Sequence, residues 1–198
     1  MKKGLIVIII LVVVGIGLFS WGTGLYNNFV TLDEGVNTSW AQVENVYQRR
    51  YDLIPNLVET VKGYAKQEKE VLVGVTEARA KMGGMVNVGS DIVNDPQQLA
   101  QFQQAQSSLG AALQRLMVVV ERYPDLKSDQ NFRDLQVQLE GTENRIAVER
   151  RRFNETVQGY NTAVRRFPGS LIASITGFPV KAYFASESEA ATAPKVEF

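Results

Sequence analysis

The chain has 198 residues with 21 basic and 21 acidic side chains, and it contains neither Cys nor His. A net charge of zero gives no overall field that would attract nucleic acid. The lack of Cys excludes disulfides and thiolate chemistry, and the lack of His removes the commonest general base and metal ligand. No nucleotide-binding, zinc-protease or serine-hydrolase motif occurs. Composition therefore favours a non-enzymatic protein, and we expect no catalytic residues, cofactor, metal site, small-molecule substrate or nucleic-acid partner.

An apolar segment lies close to the N-terminus. Residues 5–21 carry no charge, and with residues 22–26 they reach the roughly 20 residues that a membrane crossing requires. A cleaved signal peptide would have a shorter apolar core and a small-x-small cleavage site, which Ser20-Trp21-Gly22 matches poorly. We therefore predict that residues 1–26 form an uncleaved, single-pass transmembrane anchor with a short cytoplasmic N-terminus.

The flanking charges predict the orientation of this anchor. Lys2 and Lys3 precede it, whereas the first basic residue after it is Arg49. The positive-inside rule then places the N-terminus in the cytoplasm and the rest of the chain outside it. We expect a membrane protein whose first partner is the lipid bilayer.

A long hydrophobic repeat occupies residues 36–82 and is typical of a helix that lays one side against other helices, as in a coiled coil. Steps of four and three residues connect Val36, Trp40, Val43, Tyr47, Arg50, Ile54, Leu57, Val61, Tyr64, Glu68, Val71, Val75, Ala78 and Met82. Arg50 and Glu68 are the two exceptions to its apolar character. Pro55 lies within this repeat, and a proline in a helix interior destabilises the helix by about 3 kcal/mol. Because the repeat keeps its phase, we predict one kinked helix, and a turn at Pro55 is the alternative.

The ends of this helix and the start of the next are predicted from capping residues. Residues 27–33 are expected to connect the anchor to the helix, with Thr31 or Asp33 as the cap. Gly83-Gly84 is expected to end it. After a loop at residues 85–94, Asp95-Pro96 has the composition of a cap followed by a first helical residue.

The remainder of the chain predicts two further helices. The second helix is expected to end at Pro124, and the third to begin with Ser128 as cap and to end at Pro168-Gly169. Residues 171–184 predict a short helix and an extended piece, and residues 185–198 a flexible tail. The predicted fold is all-α: an N-terminal transmembrane helix, then an antiparallel bundle of three long helices plus a short C-terminal helix in residues 27–184.

The predicted helix lengths indicate an uncovered surface. The first helix would measure on the order of 70 Å and the second roughly 40 Å. Trp40, Val43 and Tyr47, nearest the membrane, would then lack a partner within the chain. We predict that they form an oligomer contact between copies of this chain. A turn at Pro55 that covers them is the alternative.

Charged residues concentrate on the third helix and suggest a docking surface for an envelope protein such as a protease or transporter. A solvated face with i,i+4 pairs such as Glu149 with Arg145 is the alternative. The candidate polar residues, including the two charges in the first repeat, are Arg50, Glu68, Glu140, Arg145, Glu149, Arg150 and Arg151. The sequence does not pair Arg50 or Glu68 with a particular partner.

Several blocks of the sequence resemble the LemA family of bacterial membrane proteins. They are Tyr26-Asn27, residues 40–58, residues 123–126, residues 139–146, residues 150–154 and Phe167-Pro168. The resemblance covers nearly the whole chain. It implies a membrane-anchored, mostly helical, non-enzymatic protein, and relatives in magnetosome-forming bacteria are linked to membrane remodelling.

Two functions are therefore expected. The first is a self-associating scaffold with a role in envelope organisation or membrane remodelling. The second is an adaptor that presents its charged helix to another envelope protein.

Overall fold

A single helix begins at the N-terminus and enters the body of the protein. The computed structural model describes residues 2–83 and 89–185. Helix α1 spans Lys2–Tyr64, 63 residues or about 95 Å. Within the described residues, it is the one helix long and apolar enough to cross a membrane, and the apolar stretch at its start is not buried against the rest of the chain.

The predicted connection at residues 27–33 is wrong, because α1 continues through it. Neither Thr31 nor Asp33 caps a helix. The hydroxyl of Thr31 donates to the carbonyl oxygen of Asn27 one turn earlier, at 3.0 Å. The carboxylate of Asp33 pairs with Lys181. The apolar segment and the bundle therefore share one uninterrupted helix.

The end of α1 differs from the prediction as well. The helix continues through Pro55 without a break, as predicted, but it ends at Tyr64. Residues 65–68 form a turn, and helix α2 spans Lys69–Gly83. Helix α2 folds back on α1, where the Arg79 guanidinium lies 3.9 Å from the centre of the Tyr51 ring. The predicted single helix to Met82 is thus two helices, α1 and α2.

Capping aspartates define the next helices. A 3₁₀ turn spans Ser90–Asn94, in a region predicted to be a loop, and the rest of that loop, residues 85–88, lies outside the described residues. Helix α3 spans Pro96–Val120, and Asp95 caps it as predicted by accepting from the amides of Gln97 and Gln98. Helix α4 spans Pro124–Ser128.

Helix α5 spans Gln130–Arg165, and its cap is Asp129, not Ser128 as predicted. The Asp129 carboxylate accepts from the amide of Phe132 at 2.9 Å. The Ser128 hydroxyl instead donates to the carbonyl oxygen of Asp125 inside α4. Helix α5 lies antiparallel to α1, since Arg50 pairs with Glu143 while Tyr64 reaches Asp129.

The last described residues form a short helix and an extended segment, as predicted for residues 171–184. Helix α6 spans Gly169–Thr176. We call residues 178–185 the C-terminal strap; it lies along α5 without helical structure. Gly169 allows α6 to approach closely, because a Cβ there would lie 2.8 Å from the carbonyl oxygen of Ala163. The predicted tail lies outside the described residues from residue 186 onward.

The prediction that Trp40, Val43 and Tyr47 are left uncovered is wrong. Their exposed fractions are 3%, 0% and 5% within this one chain. The Trp40 ring contacts three aromatic rings from α3, α5 and the strap, with centroids 5.5–5.9 Å away: Phe102, Phe153 and Phe184. The Tyr47 ring packs on Phe102 at 5.1 Å. The chain's own distant segments therefore bury the surface that was expected to join two copies.

Candidate functional site

The central polar feature is Arg50, a charged residue inside the hydrophobic repeat of α1. It is only 4% exposed. Its Nη1 donates to both carboxylate oxygens of Glu143 on α5, at 2.8 and 3.1 Å. Its Nη2 donates to the carbonyl and side-chain oxygens of Gln106 on α3. A buried cation is tolerated when an anion and further acceptors surround it, and here it connects three helices.

A cleft of about 750 Å³ opens beside this network, with Arg50 and Glu143 in its lining. Helix α3 contributes amides and hydroxyls to it: Gln103, Gln104, Gln106, Ser107, Ser108 and Gln114. Helix α5 adds Ala147 and Arg150, and the strap adds Ala185. Small-molecule sites are mostly apolar with a few polar groups, whereas this lining is mainly polar. The composition suits a polar partner surface better than a small apolar ligand.

Two amide groups in the cleft wall are buried with hydrogen-bonding capacity left over. The Nε2 atoms of Gln103 and Gln106 have no hydrogen-bond partner among the described residues, nor does Nε of Arg50. Buried donors of this kind normally find an acceptor. All three are N–H donors whose atoms are closed off from solvent, so they do not face a partner in the cleft directly.

The arrangement provides groups that bind through hydrogen bonds and charge. Glu143 forms an ion pair with Arg50. Because the chain has no His or Cys, no imidazole or thiolate lies beside the hydroxyls and amides of the cleft. Across residues 2–83 and 89–185, no cluster of three or more His, Cys, Asp or Glu side chains is placed to hold a metal ion.

Glu68 forms a separate polar contact at the far end of the bundle. Its carboxylate lies 3.0 Å from Nη2 of Arg122 and accepts from the Tyr123 hydroxyl at 3.1 Å. Burial, followed by this hydrogen bond, raises the pKa of Tyr123. These contacts join the turn after α1 to the end of α3. Arg50 and Glu68 therefore belong to different sites.

The charged residues of α5 make different local contacts, and their predicted role as a docking surface stays a prediction. Glu140 accepts from Gln136, and Glu149 pairs with Arg152 at 3.2 Å instead of with Arg145 as suggested. Arg145 and Arg151 are exposed. Arg150 lines the cleft and donates to the carbonyl oxygen of Ala185 at 3.0 Å, which places it against the strap.

The strap is held by two asparagines of α5 that the sequence analysis did not single out. The side chain of Asn161 donates to the carbonyl oxygen of Lys181 and accepts from its amide, both at 2.9 Å. Asn154 makes the same paired contacts with Phe184, at 3.0 and 2.9 Å. The seven-residue spacing, about two helical turns, puts both amides on one side of α5. An extended chain is thus fixed on a helix surface.

A buried ion pair completes the attachment of the strap to α1. Lys181 is 5% exposed, and its Nζ lies 2.7 Å from the carboxylate of Asp33. Tyr160 lies beside it and donates its hydroxyl to the carbonyl oxygen of Pro179 at 2.8 Å. Burial, with the negative charge of Asp33, raises the pKa of Tyr160 to about 12. Lys181 is the single charged residue in the segment 171–184, which is a signal that sequence reasoning could have used.

Comparisons with known proteins agree with this helical, membrane-associated architecture. Residues 39–198 match the LemA family. Magnetosome proteins MamQ 1 and MamQ 2 of Paramagnetospirillum magneticum are each 30% identical over 178 residues, and MamQ of Magnetospirillum gryphiswaldense is 30% identical over 174. Each alignment covers 80% of this chain and 64% of the relative. The chain therefore belongs to the LemA family.

Proposed function

We propose that this protein is a non-enzymatic, membrane-anchored adaptor that organises the cell envelope by holding a protein-binding cleft at a fixed height above the bilayer. It would reside in the bacterial inner membrane with its N-terminus in the cytoplasm, as Lys2 and Lys3 favour. The names of the MamQ relatives, as magnetosome proteins, fit a role at a membrane.

One observation carries this proposal: α1 is a single helix from the apolar segment to the floor of the cleft. Arg50 lies about 40 Å beyond the apolar segment along this helix. A helix packed on α5 through most of that length transmits position and direction without a flexible linker. A partner bound in the cleft would therefore be held at a defined distance from the membrane.

The chemistry of the cleft indicates its occupant. Its lining consists mainly of amide, hydroxyl and guanidinium side chains, most of them from α3. An extended polypeptide supplies carbonyl acceptors at regular intervals and has no need of a deep apolar pocket. We therefore favour a segment of another envelope protein over a small molecule.

Self-association through Trp40, Val43 and Tyr47 is not part of the proposal, because these residues are buried. The experiment below nonetheless detects self-association.

A photo-crosslinking phenylalanine analogue is placed in cells at Ala111 or Ala147, two exposed residues of the cleft lining. Ala80, exposed on α2 and outside the cleft, is the matched control position.

We expect one discrete adduct with a different protein from both cleft positions and none from Ala80. Ala147→Trp, which fills the cleft without touching the core, should abolish the adduct formed from Ala111. An adduct only with a second copy of the chain, or equal adducts from Ala80, would contradict the adaptor proposal.

A further inference from the structure

Helix α6 lies beside the point where α1 leaves its apolar segment. Ile172 of α6 approaches to 4.0 Å from the position that a Cβ on Gly22 would occupy. Phe178, just after α6, packs on both Tyr26 and Phe29 of α1, with ring centroids 5.6 Å apart in each case. Helix α6 is therefore fixed at the level of residues 22–29.

A bilayer spanned by the apolar segment of α1 would have its edge at that level. Gly22 lies about 26 Å along the helix from Leu5, close to the thickness of the hydrocarbon core, which is about 30 Å. Trp21 and Tyr26 are each partly exposed at this height. Tryptophan and tyrosine are enriched where membrane proteins cross between lipid tails and headgroups.

The outward side of α6 is apolar and uncovered by the rest of the described chain. Gly169 and Ala173 are buried against the bundle, whereas Leu171 and Ile175 are 56% and 81% exposed. Phe167, four residues before Leu171, is 77% exposed. We call Phe167, Leu171 and Ile175 the outer face of α6. No residue of α6 carries a charge.

Two basic residues border this face. Arg165 and Arg166, at the end of α5, are exposed and immediately precede Phe167. Cations beside an apolar helix face are the arrangement expected of a helix that lies in the membrane interface, where phosphates surround the boundary of the acyl chains.

We propose that α6 is an interfacial helix. Its outer face inserts into the leaflet from which α1 emerges, while Arg165 and Arg166 contact phospholipid phosphates. The position of α6 beside Gly22, at the end of the apolar segment of α1, identifies the occupant as the same bilayer. This inference rests on the proposed anchoring by α1. Two attachment points would fix the tilt and rotation of the bundle relative to the membrane, which one helix cannot do.

Spin-label accessibility in full-length protein reconstituted in phospholipid vesicles tests the proposal. The chain has no Cys, so single labels can be placed at Ile175→Cys, at Ile10→Cys within the apolar segment, and at Val137→Cys on α5. Val137 is the matched control, because it is an apolar residue 67% exposed on the bundle. Collision with oxygen reports lipid, and collision with a water-soluble nickel complex reports solvent.

We expect the label at Ile175 to collide with the nickel complex at least five-fold less than the label at Val137, and to resemble the label at Ile10 in its preference for oxygen. Equal nickel accessibility at Ile175 and Val137, with Ile10 still shielded, would contradict the insertion of α6 but would still support anchoring by α1. A solvent-exposed Ile10 would overturn the anchor itself.

The contribution of the arginines has a separate readout. Arg165→Glu together with Arg166→Glu should raise nickel accessibility at Ile175 by at least three-fold, since the new carboxylates repel lipid phosphates. The same pair of substitutions should leave Val137 unchanged, which reports an intact bundle. Unchanged accessibility at Ile175 would overturn the assignment of these two residues to the headgroups.

Discussion

Arg50 of α1 and Glu143 of α5 are separated by 93 positions in the sequence, yet their side chains lie 2.8 Å apart. The Arg50 side chain is 5% exposed and the Glu143 side chain 44%. The pair thus has one buried member, which depends on the other for its charge compensation. This difference in exposure determines how strongly substitutions at the two positions should affect stability.

Glu143→Ala should lower the free energy of unfolding by about 1–3 kcal/mol, because it leaves a buried cation with one fewer partner. In an Arg50→Met background the same substitution should have a smaller effect, and chemical denaturation of all four proteins measures the difference as a double-mutant cycle. Glu140→Ala, on the exposed side of α5, should stay within about 0.5 kcal/mol. Equal effects of Glu143→Ala in both backgrounds would contradict the pairing.

Asn161→Ala should release the strap. The substitution leaves the amide and carbonyl of Lys181 without their partner, at about 2–4 kcal/mol for two buried backbone groups. Hydrogen exchange should accelerate in residues 178–185 more than elsewhere in the bundle. Asn144→Ala, at an exposed position of the same helix, is the control. A strap that remains as protected in the Asn161 variant as in the wild type would contradict this role of Asn161 and show that the other contacts of the strap suffice.

The sequence contains enough information for the helical class and for one cap, Asp95, but not for every helix boundary or for the surfaces that cover the helices. Asp95 with Pro96 identifies the start of α3, because the capping chemistry is local. The turn at residues 65–68 has neither Gly nor Pro, and the repeat keeps its phase across it, so no local pattern reveals where α1 ends. The sequence resemblance to LemA proteins, by contrast, correctly identified the family.

The burial of Trp40 illustrates what local patterns cannot predict. Its partners Phe102, Phe153 and Phe184 come from three distant parts of the chain, and the strap that carries Phe184 is held by side chains of α5. A comparison of helix lengths could not include that strap. The Arg50 network escaped prediction for the same reason, since Gln106 and Glu143 are distant in sequence.

Acid should weaken the junction between α1 and α5. The amide of Phe132, followed by the Tyr64 hydroxyl, holds the pKa of Asp129 below its usual range by hydrogen bonding. A lowered pKa stabilises the folded state above the ordinary carboxyl pKa, about 4, and this contribution is lost as the pH falls through the folded value.

The difference in unfolding free energy between the wild type and Asp129→Asn should therefore shrink below about pH 4. Tyr64→Phe, which removes one donor and keeps the cap, should show a smaller part of the same dependence. A difference that does not vary with pH would contradict the role of the carboxylate.

Alkali should act through Tyr160. Its pKa is raised to about 12 by burial and by Asp33, so the folded state holds the phenolic proton more tightly than the unfolded chain does. This contribution is complete below the ordinary tyrosine pKa, about 10, and is lost as the pH rises towards the folded value. The stability difference between the wild type and Tyr160→Phe should thus fall above about pH 10. A stability difference between the two proteins that stays constant up to pH 12 would contradict this role of Tyr160.

The central claim, that one uninterrupted helix connects the membrane to the bundle, is tested most directly by a distance between two spin labels. Thr23→Cys and Asn45→Cys place labels at exposed positions on either side of residues 27–33. Pulsed electron resonance on the protein in lipid nanodiscs should give a single narrow distribution centred at about 33 Å, the length of helix between them. A broad distribution, or one centred at a clearly shorter distance, would show a flexible connection and contradict the account.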